Sequence, residues 1–469
     1  MTLRVQTFFA IAPALAALAL ATAPGAAEAA SRKPVVTALR CVPATAKGCR
    51  AQVRVTVGGQ LQIKGRQLFR GMRVSFRWET GALATTLAKK KAGWIVRVPA
   101  GTRPGQIAVT VRDRAGRRSN VRHIQVQAKV VIPRTLPKSV APGEIPDVFR
   151  DDGMWIWTVS KSEAGDPAAI GARAKAAGIE TVFVKSADGS SAYDQFSSAL
   201  IAGLKAQGLR VCAWQYVLGK HPEEEAAAAI AGIQRGADCF VIDAETEYAN
   251  RYAQAQTYMN ALRAGVGEGY PIGFTSFPYV HYHTNVPYSV FLGPGGAQVN
   301  MPQVYWKAIK DSVDEASAIT MMDNRIYRVP IAPIGQSYDA PSDADVQRFR
   351  QVWAGYGSAG LSWWSWQASA PSTWTALGQP VPSGGDPLPD PGWPTLKLKS
   401  KGDPVVWLQQ HLASFDPAVP IDGDFGPLTD QAIKAFQTSK ALPATGVTDA
   451  ATWQALLSLP VRAVDWSAS

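Results

Sequence analysis

The 469-residue chain is poor in the side chains that build metal and redox centres, with four cysteines and five histidines. No Cys/His spacing of the zinc-site type occurs, and His281 and His283 are two potential ligands without a third nearby, so neither a metal nor another cofactor is expected. Acids are scarce in one region. From Ser31 to Lys138 only Glu79 and Asp113 oppose a long series of Arg and Lys, which makes the net charge of +12 an uneven one. A basic segment of this kind suits an anionic polymer, or simply keeps a solvated face. Long apolar runs are also missing: beyond the first thirty residues no stretch is long and apolar enough to cross a bilayer.

What is present is apolar material for several cores. The composition is 46% apolar, and a single core rarely grows past about 250–300 residues, so roughly two to four domains are expected. The start has the order of a signal peptide over 1–29: the cation Arg4, the run Phe8 to Ala21, then Ala27-Glu28-Ala29. An uncleaved membrane anchor is the other reading, weakened by Pro13 and Pro24. Export permits disulfides. Cys41 and Cys49 flank a short loop and read as a bridge, whereas Cys212 and Cys239, each four residues before the end of consecutive expected strands, read equally as a bridged pair or as two buried thiols.

Residues 31–130 alternate apolar and polar in short segments (Gln52 to Val57, Gln60 to Ile63, Arg73 to Trp78, Trp94 to Val98, Gln106 to Arg112, Arg122 to Val126) punctuated by Gly-Gly and Pro-Gly turns, the pattern of an immunoglobulin-like β-sandwich. Pro-rich sequence follows, and 131–150 reads as a linker. Over 151–377 apolar runs alternate with helical patterns. Strands are expected near Met154, Thr181, Arg210, Cys239, Pro271, Val299, Val329 and Gly360, with helices at Pro167 to Ala177, Pro222 to Arg235, Tyr252 to Ala264, Ser312 to Met322 and Asp343 to Ala354. Eight strands close a (β/α)8 barrel. Tyr279 to Gly296, full of Pro, Gly and aromatics, reads as a long loop in place of the helix after the fifth strand. A linker at 378–394 leads to a compact small α-helical domain over 395–460. The fold class is multidomain α/β: a central (β/α)8 barrel with an N-terminal β-sandwich and a C-terminal helical domain.

Catalytic groups of such a barrel stand at the carboxyl ends of its strands. The fourth ends in "CFVIDAETEY", where Asp243 and Glu245 are two apart and share a face at about 6–7 Å. Paired carboxylates raise one another's pKa and can divide into a proton donor and a group that stays ionised, as glycosidic cleavage needs. A strand-end carboxylate can also be a helix cap or half of an ion pair. Aromatics gather at the same ends: Trp155, Trp157, Trp214, Tyr216, Tyr305, Trp306, Trp363, Trp364 and Trp366. Such faces stack on pyranose rings. Alternation sends about half of them under the helices, so only one of Trp363 and Trp364 should line the mouth. Gln215, Gln303, Gln336 and Gln367 could bond sugar hydroxyls or be satisfied interior residues.

Three segments resemble known families. "VRVPAGTRPGQIAVTVRDRAGRRSN" resembles the end of IPT/TIG immunoglobulin-like domains, which implies a spacer or binding module. The stretch from "LKLKSKGDPVVWLQQHL" to "ATWQALL", with Gly402, Leu408-Gln409, Asp422-Gly423, Phe425-Gly426, Phe436-Gln437 and Thr452-Trp453, resembles nearly end to end the three-helix peptidoglycan-binding domain of wall hydrolases, which implies binding beside the Asp422-Gly423 turn. "TVFVKSADG", "CAWQYVLGKHPEEEAAAAI" and "FVIDAETE" are similar to the second to fourth strands of the muramidases of glycoside hydrolase family 25. That resemblance implies Glu245 as general acid with Asp243 ionised nearby. Two acids of the family pattern are replaced: the first strand carries Trp155 and Trp157, and the sixth ends "MPQVYWK". Asp188 and Asp339 could compensate.

The expectation is an exported, cell-wall-associated, muramidase-like glycoside hydrolase, catalytic through Glu245 and Asp243. Asp188, Trp155, Trp157, Tyr216, Tyr305, Trp306, Trp364 and Asp339 would contact substrate. Its partner is peptidoglycan, with anionic wall polymers on the basic N-terminal domain, and neither nucleic acid nor a stable partner protein is implied. The alternatives are a non-catalytic wall-binding scaffold with a degenerate barrel, and a hydrolase of another wall polysaccharide.

Overall fold

The computed structural model describes residues 33–42, 53–56, 59–127 apart from 80, 92, 100, 101 and 104, 144–381 and 386–466. The expected signal peptide, most of the first linker and Cys49 of the expected Cys41/Cys49 bridge lie outside them. Among the described residues no helix is long and apolar enough to cross a membrane. The chain divides into two compact units, 1–130 and 131–469.

Among its described residues the first unit has nine strands: β1 (Val35–Val42), β2 (Arg54–Thr56), β3 (Gln60–Arg66), β4 (Arg73–Trp78), β5 (Gly81–Thr86), β6 (Ala88–Lys90), β7 (Gly93–Arg97), β8 (Gly105–Arg112) and β9 (Arg122–Gln127). They form two sheets, in the orders β1-β3-β7-β6 and β2-β9-β8-β4-β5, antiparallel except for β2 beside β9. Period-two alternation turns Leu61 and Ile63 of one sheet, and Val74, Phe76 and Val109 of the other, into one buried cluster. Asn120 ties β1 in place, its amide accepting from Val36 N at 2.8 Å and donating to Val36 O at 2.9 Å.

The second unit is built on a parallel sheet. Its strands are β10 (Asp152–Ile156), β11 (Thr181–Asp188), with the short antiparallel partner β12 (Ser191–Ala192), β13 (Arg210–Val217), β14 (Cys239–Ala244), β15 (Ile272–Thr275), β16 (Val299–Asn300), β17 (Gln303–Val304), β18 (Ile334–Gln336) and β19 (Leu361–Trp364). The order runs β16-β15-β14-β13-β11-β10-β19-β18-β17. β16 and β17 are two pieces of one extended segment, the first bonded to β15 and the second to β18. The sheet is barrel-like.

Around it lie α1 (Pro167–Ala176), α2 (Ser198–Lys205), α3 (Pro222–Ile233), α4 (Tyr252–Val266), the single turns α5 (Tyr288–Phe291) and α6 (Trp306–Ile309), α7 (Val313–Asn324), α8 (Asp343–Gly355) and α9 (Pro371–Leu377). Side-chain caps start several of them: Asp166, Ser197, Ser312 and Ser342 each accept from a backbone N–H two or three residues on. Each strand divides its residues between two cores. Phe240, Ile242 and Ala244 of β14 face the helices, while Cys239 and Val241 join Trp155, Phe183, Cys212 and Trp214 inside the sheet. Cys212 and Cys239 are register partners with Cα atoms 4.6 Å apart, and they form a disulfide.

The C-terminal segment adds α10 (Asp403–Leu412), α11 (Pro427–Ser439) and α12 (Ala450–Leu456). Gln409 secures the turn between the first two, accepting from the N–H groups of Asp422 and Gly423 and donating to Asp422 Oδ1, Asp424 O and Thr429 Oγ1. Val405, Trp407 and Leu408 belong to the same buried cluster as the helix-facing side of the sheet.

Candidate active site

Asp243 stands at the end of β14, and Glu245 lies just beyond the strand, so both continue the inward-facing row of Cys239 and Val241. Asp243 is buried at 6% exposure and Glu245 is half-buried. One side chain from across the sheet gathers them: Gln303 Nε2 on β17 donates to Glu245 Oε1 at 3.0 Å and to Asp243 Oδ1 at 3.2 Å. The two carboxyl groups are also within hydrogen-bond reach of each other. Burial pushes Asp243 well above the usual carboxylate range, with the Glu245 charge adding to it and the Lys185 ammonium opposing it. Burial raises Glu245 too, and the Gln303 donor holds it back. The pair therefore keeps one proton at pH values where exposed carboxylates have lost both. Burial and a neighbouring carboxylate charge thus act on both members in the same direction.

Lys185, inward-facing on β11 and only 4% exposed, is a site residue absent from the candidates drawn from the sequence. Its Nζ lies 2.6 Å from Asp188 Oδ1, and 4.7 Å from the ring centre of Trp214 and 4.9 Å from that of Trp157, with Tyr193 and Tyr216 slightly farther away. A buried ammonium needs such company, because desolvation would otherwise expel its charge. Its signal was the Lys-x-x-Asp-Gly run in "TVFVKSADG". Asp188 is thus the counter-ion of Lys185, steadied further by the Tyr193 hydroxyl at 2.6 Å.

The aromatic candidates separate by depth and parity. Tyr216 and Tyr305 are half-buried beside the carboxylates. Tyr216 donates to Glu247 Oε2 at 2.5 Å, and the phenols of both are pushed up by burial, with the charges of Asp243 and Glu245 contributing. Trp157, 47% exposed, and Trp364 lie with ring centres 5.9 Å apart. They line a cleft of about 540 Å³ together with Lys161, Tyr338, Asp339 and Gln367. Tyr338 packs edge-on to Tyr305 at 5.5 Å, which links this cleft to the carboxylates. Asp339 sits there with φ of +59°, its carbonyl held by Lys307 Nζ.

Two candidates are corrected. Trp155 is 1% exposed, stacked on Phe183 and bonded through Nε1 to Ser362 Oγ at 3.0 Å, because it lies one layer below Trp157 on the same strand face. Trp306 shares the outward parity of Val304 and stacks on Phe349 of α8 at 2% exposure. Neither can reach a sugar in the mouth. Trp363 likewise packs outward on Phe349. Of the glutamines, Gln215 and Gln336 are structural: the first bonds Gly189 O, Glu225 O and Tyr258, and the second Ala308 N and Tyr338 O. His281 pairs with Asp323 at 2.7 Å and His283 stacks on Phe277. Among the described residues no group of three or more His, Cys, Asp or Glu is placed to hold a metal ion.

Comparison with known families agrees with this geometry. Residues 168–291, from α1 to α5, match the model of "Glycosyl hydrolases family 25", and residues 401–456 match that of "Putative peptidoglycan binding domain". No curated protein matches the chain. Similar solved structures include a family 25 glycosyl hydrolase from Bacillus anthracis, with 14% identity over 32% of this chain and 69% of that one at a TM-score of 0.25. The spore cortex-lytic enzyme SleL of Bacillus cereus shows 10% identity over 55% of this chain and 77% of that one at 0.38. A class V chitinase from Nicotiana tobaccum shows 10% identity over 49% of this chain and 98% of that one, also at 0.38. Superpositions this loose assign no residue roles. The matched segments define a glycoside hydrolase. With the second matched domain at its C-terminus it is a cell-wall glycoside hydrolase with a wall-binding domain.

Proposed function

We propose that the protein is an exported muramidase-type enzyme that cleaves the glycan strands of peptidoglycan, with Glu245 as general acid and Asp243 as its charge partner. The observation that carries this reading is the carboxylate pair at the end of β14, Asp243 buried and Glu245 half-buried, bridged by Gln303, where burial favours keeping one proton on the pair. Glu245, the more exposed of the two, delivers that proton to the glycosidic oxygen. The C–O bond breaks with its electron pair going to the leaving oxygen, and both carboxylates are then charged beneath an oxocarbenium-like sugar. Lys185 limits the cost of that double charge, since its ammonium favours the ionised form of Asp243.

The architecture we propose is a closed (β/α)8 barrel, supported by the β16–β17 segment bonding to both ends of the sheet. We read the first unit as a sandwich, supported by the cluster its two sheets share. Its basic surface suits anionic wall polymers, and a signal-type start and the Cys212–Cys239 bridge suit an exported protein. Trp157, Trp364 and Asp339 would hold sugar units in the cleft beside Tyr338.

The test is Glu245→Gln, assayed by release of reducing ends from purified sacculi. It keeps shape and hydrogen bonding but has no acidic proton, so a loss of about 10²–10⁴-fold is expected with circular dichroism unchanged. Equal rates in variant and wild type would refute the assignment.

A further inference from the structure

In the parallel-sheet unit, the β15-to-β16 connection is the one that carries only a four-residue turn of helix, α5, while α4 before it has 15 residues and α7 after it has 12. A sheet face without its helix would leave apolar surface and unpaired polar groups bare. α10 of the C-terminal segment occupies that place. All ten of its residues are buried, which marks a helix covered on every side.

Asp403, in its first turn, enters the slot and accepts four hydrogen bonds from the surrounding elements: Tyr252 Oη of α4 at 3.0 Å, Ser289 N at 2.9 Å and Oγ at 2.6 Å in α5, and Tyr327 Oη beyond α7 at 2.8 Å. One turn on, Trp407 Nε1 donates to Ile326 O at 2.7 Å. The carboxylate also lies at the positive end of its own helix.

We propose that α10 is the barrel's own missing helix, so that the peptidoglycan-binding domain and the catalytic sheet form one rigid part rather than two bodies on a tether. A wall anchor that folds apart from the barrel would not need this packing. With α10 enclosed, wall contact falls to the Asp422–Gly426 turn and to α11 and α12, and a strand held there meets the mouth at one set distance. The functional reading gives this arrangement its purpose, but the test below does not depend on it.

Hydrogen exchange on the full chain decides the matter. Trp453→Ala perturbs the core of the C-terminal domain away from Asp403, and Asp403→Ala removes the key itself. Both should speed exchange of protected amides in α4 and α7 by about tenfold or more, since a shared cooperative unit loses protection together. Should Asp403→Ala fail to fold, Tyr327→Phe deletes one of the four bonds and should act in the same direction to a smaller degree. Faster exchange confined to α10, α11 and α12, with α4 and α7 as in wild type, would overturn the proposal. Inactivity of the wild type on every wall glycan would sink the enzymatic reading and leave this outcome standing.

Discussion

Replacing Gln303 by Leu keeps the volume of the side chain and removes a donor that reaches both carboxylates. The two bonds, at 3.0 and 3.2 Å, are to groups of which one is ionised, and hydrogen bonds to charged groups are worth about 1.5–3 kcal/mol each. Since tenfold in an ionisation constant is about 1.4 kcal/mol, losing the shorter bond should make Glu245 roughly 10- to 100-fold weaker as an acid. Gln303 stabilises the ionised form and holds the Glu245 pKa down, so its loss moves the ionisation to higher pH. The singly protonated pair is the working form. On the acid side its population falls in the same proportion, so the pH profile of kcat/KM should move bodily to higher pH, with a loss of about 10–100-fold below the wild-type optimum. Initial rates of reducing-end release from acid to mildly alkaline pH would show this. A variant profile that overlays the wild type would refute the idea that Gln303 sets the proton on this pair.

Lys185→Met keeps the aromatic surroundings filled but deletes the charge that lowers the Asp243 pKa; the doubly protonated pair should persist to higher pH and the acid limb rise, and an unmoved limb would show that the two charges do not communicate. Trp157→Ala should raise KM for glycan oligomers by about tenfold with kcat nearly unchanged, since a half-exposed ring in the cleft supplies uniform binding rather than transition-state contact; a fall in kcat alone would misplace it. Deleting residues 31–130 should remove a salt-sensitive share of sacculus binding, because exposed charges are screened beyond about 8 Å at physiological ionic strength. Sedimentation at low and high salt, on walls with and without anionic polymer, measures that share, and no difference would leave the basic segment without a wall role.

Much of the second unit could be read in the chain because its strands are buried on both faces and its helices begin with caps. The expected helices from Pro167, Pro222, Tyr252, Ser312 and Asp343 end within about two residues of the observed ones. The segment expected as a strand near Val329 makes one bridge, Ile331 to Asn300, and continues as a strand from Ile334, with Pro330 and Pro333 interrupting the ladder. α2 and α9, of 8 and 7 residues, fell below the length at which helical period stands out. In the site, the Asp243/Glu245 pair was legible from spacing, and parity alone would have turned Trp306 outward with Val304. Two things were not legible. Depth along a strand separates Trp155 from Trp157 only once the layers are stacked, and Gln303 gains its role from a partner about sixty residues away in sequence. The docking of α10 was hidden for the same reason, since a Pro/Gly-rich stretch before it reads as a tether whatever the following helix touches.

Gly402 has a consequence for exchange of parts between proteins. It sits at φ +92°, and a Cβ added there would lie 2.4 Å from Thr284 O, while the next residue is the acid that fills the slot. A wall-binding domain borrowed from another hydrolase could seat on this barrel only if it brought a glycine and an aspartate in succession and a hydrogen-bonding aromatic one helical turn later. Exchange of the C-terminal domain would therefore have to preserve the packing at Gly402, Asp403 and Trp407.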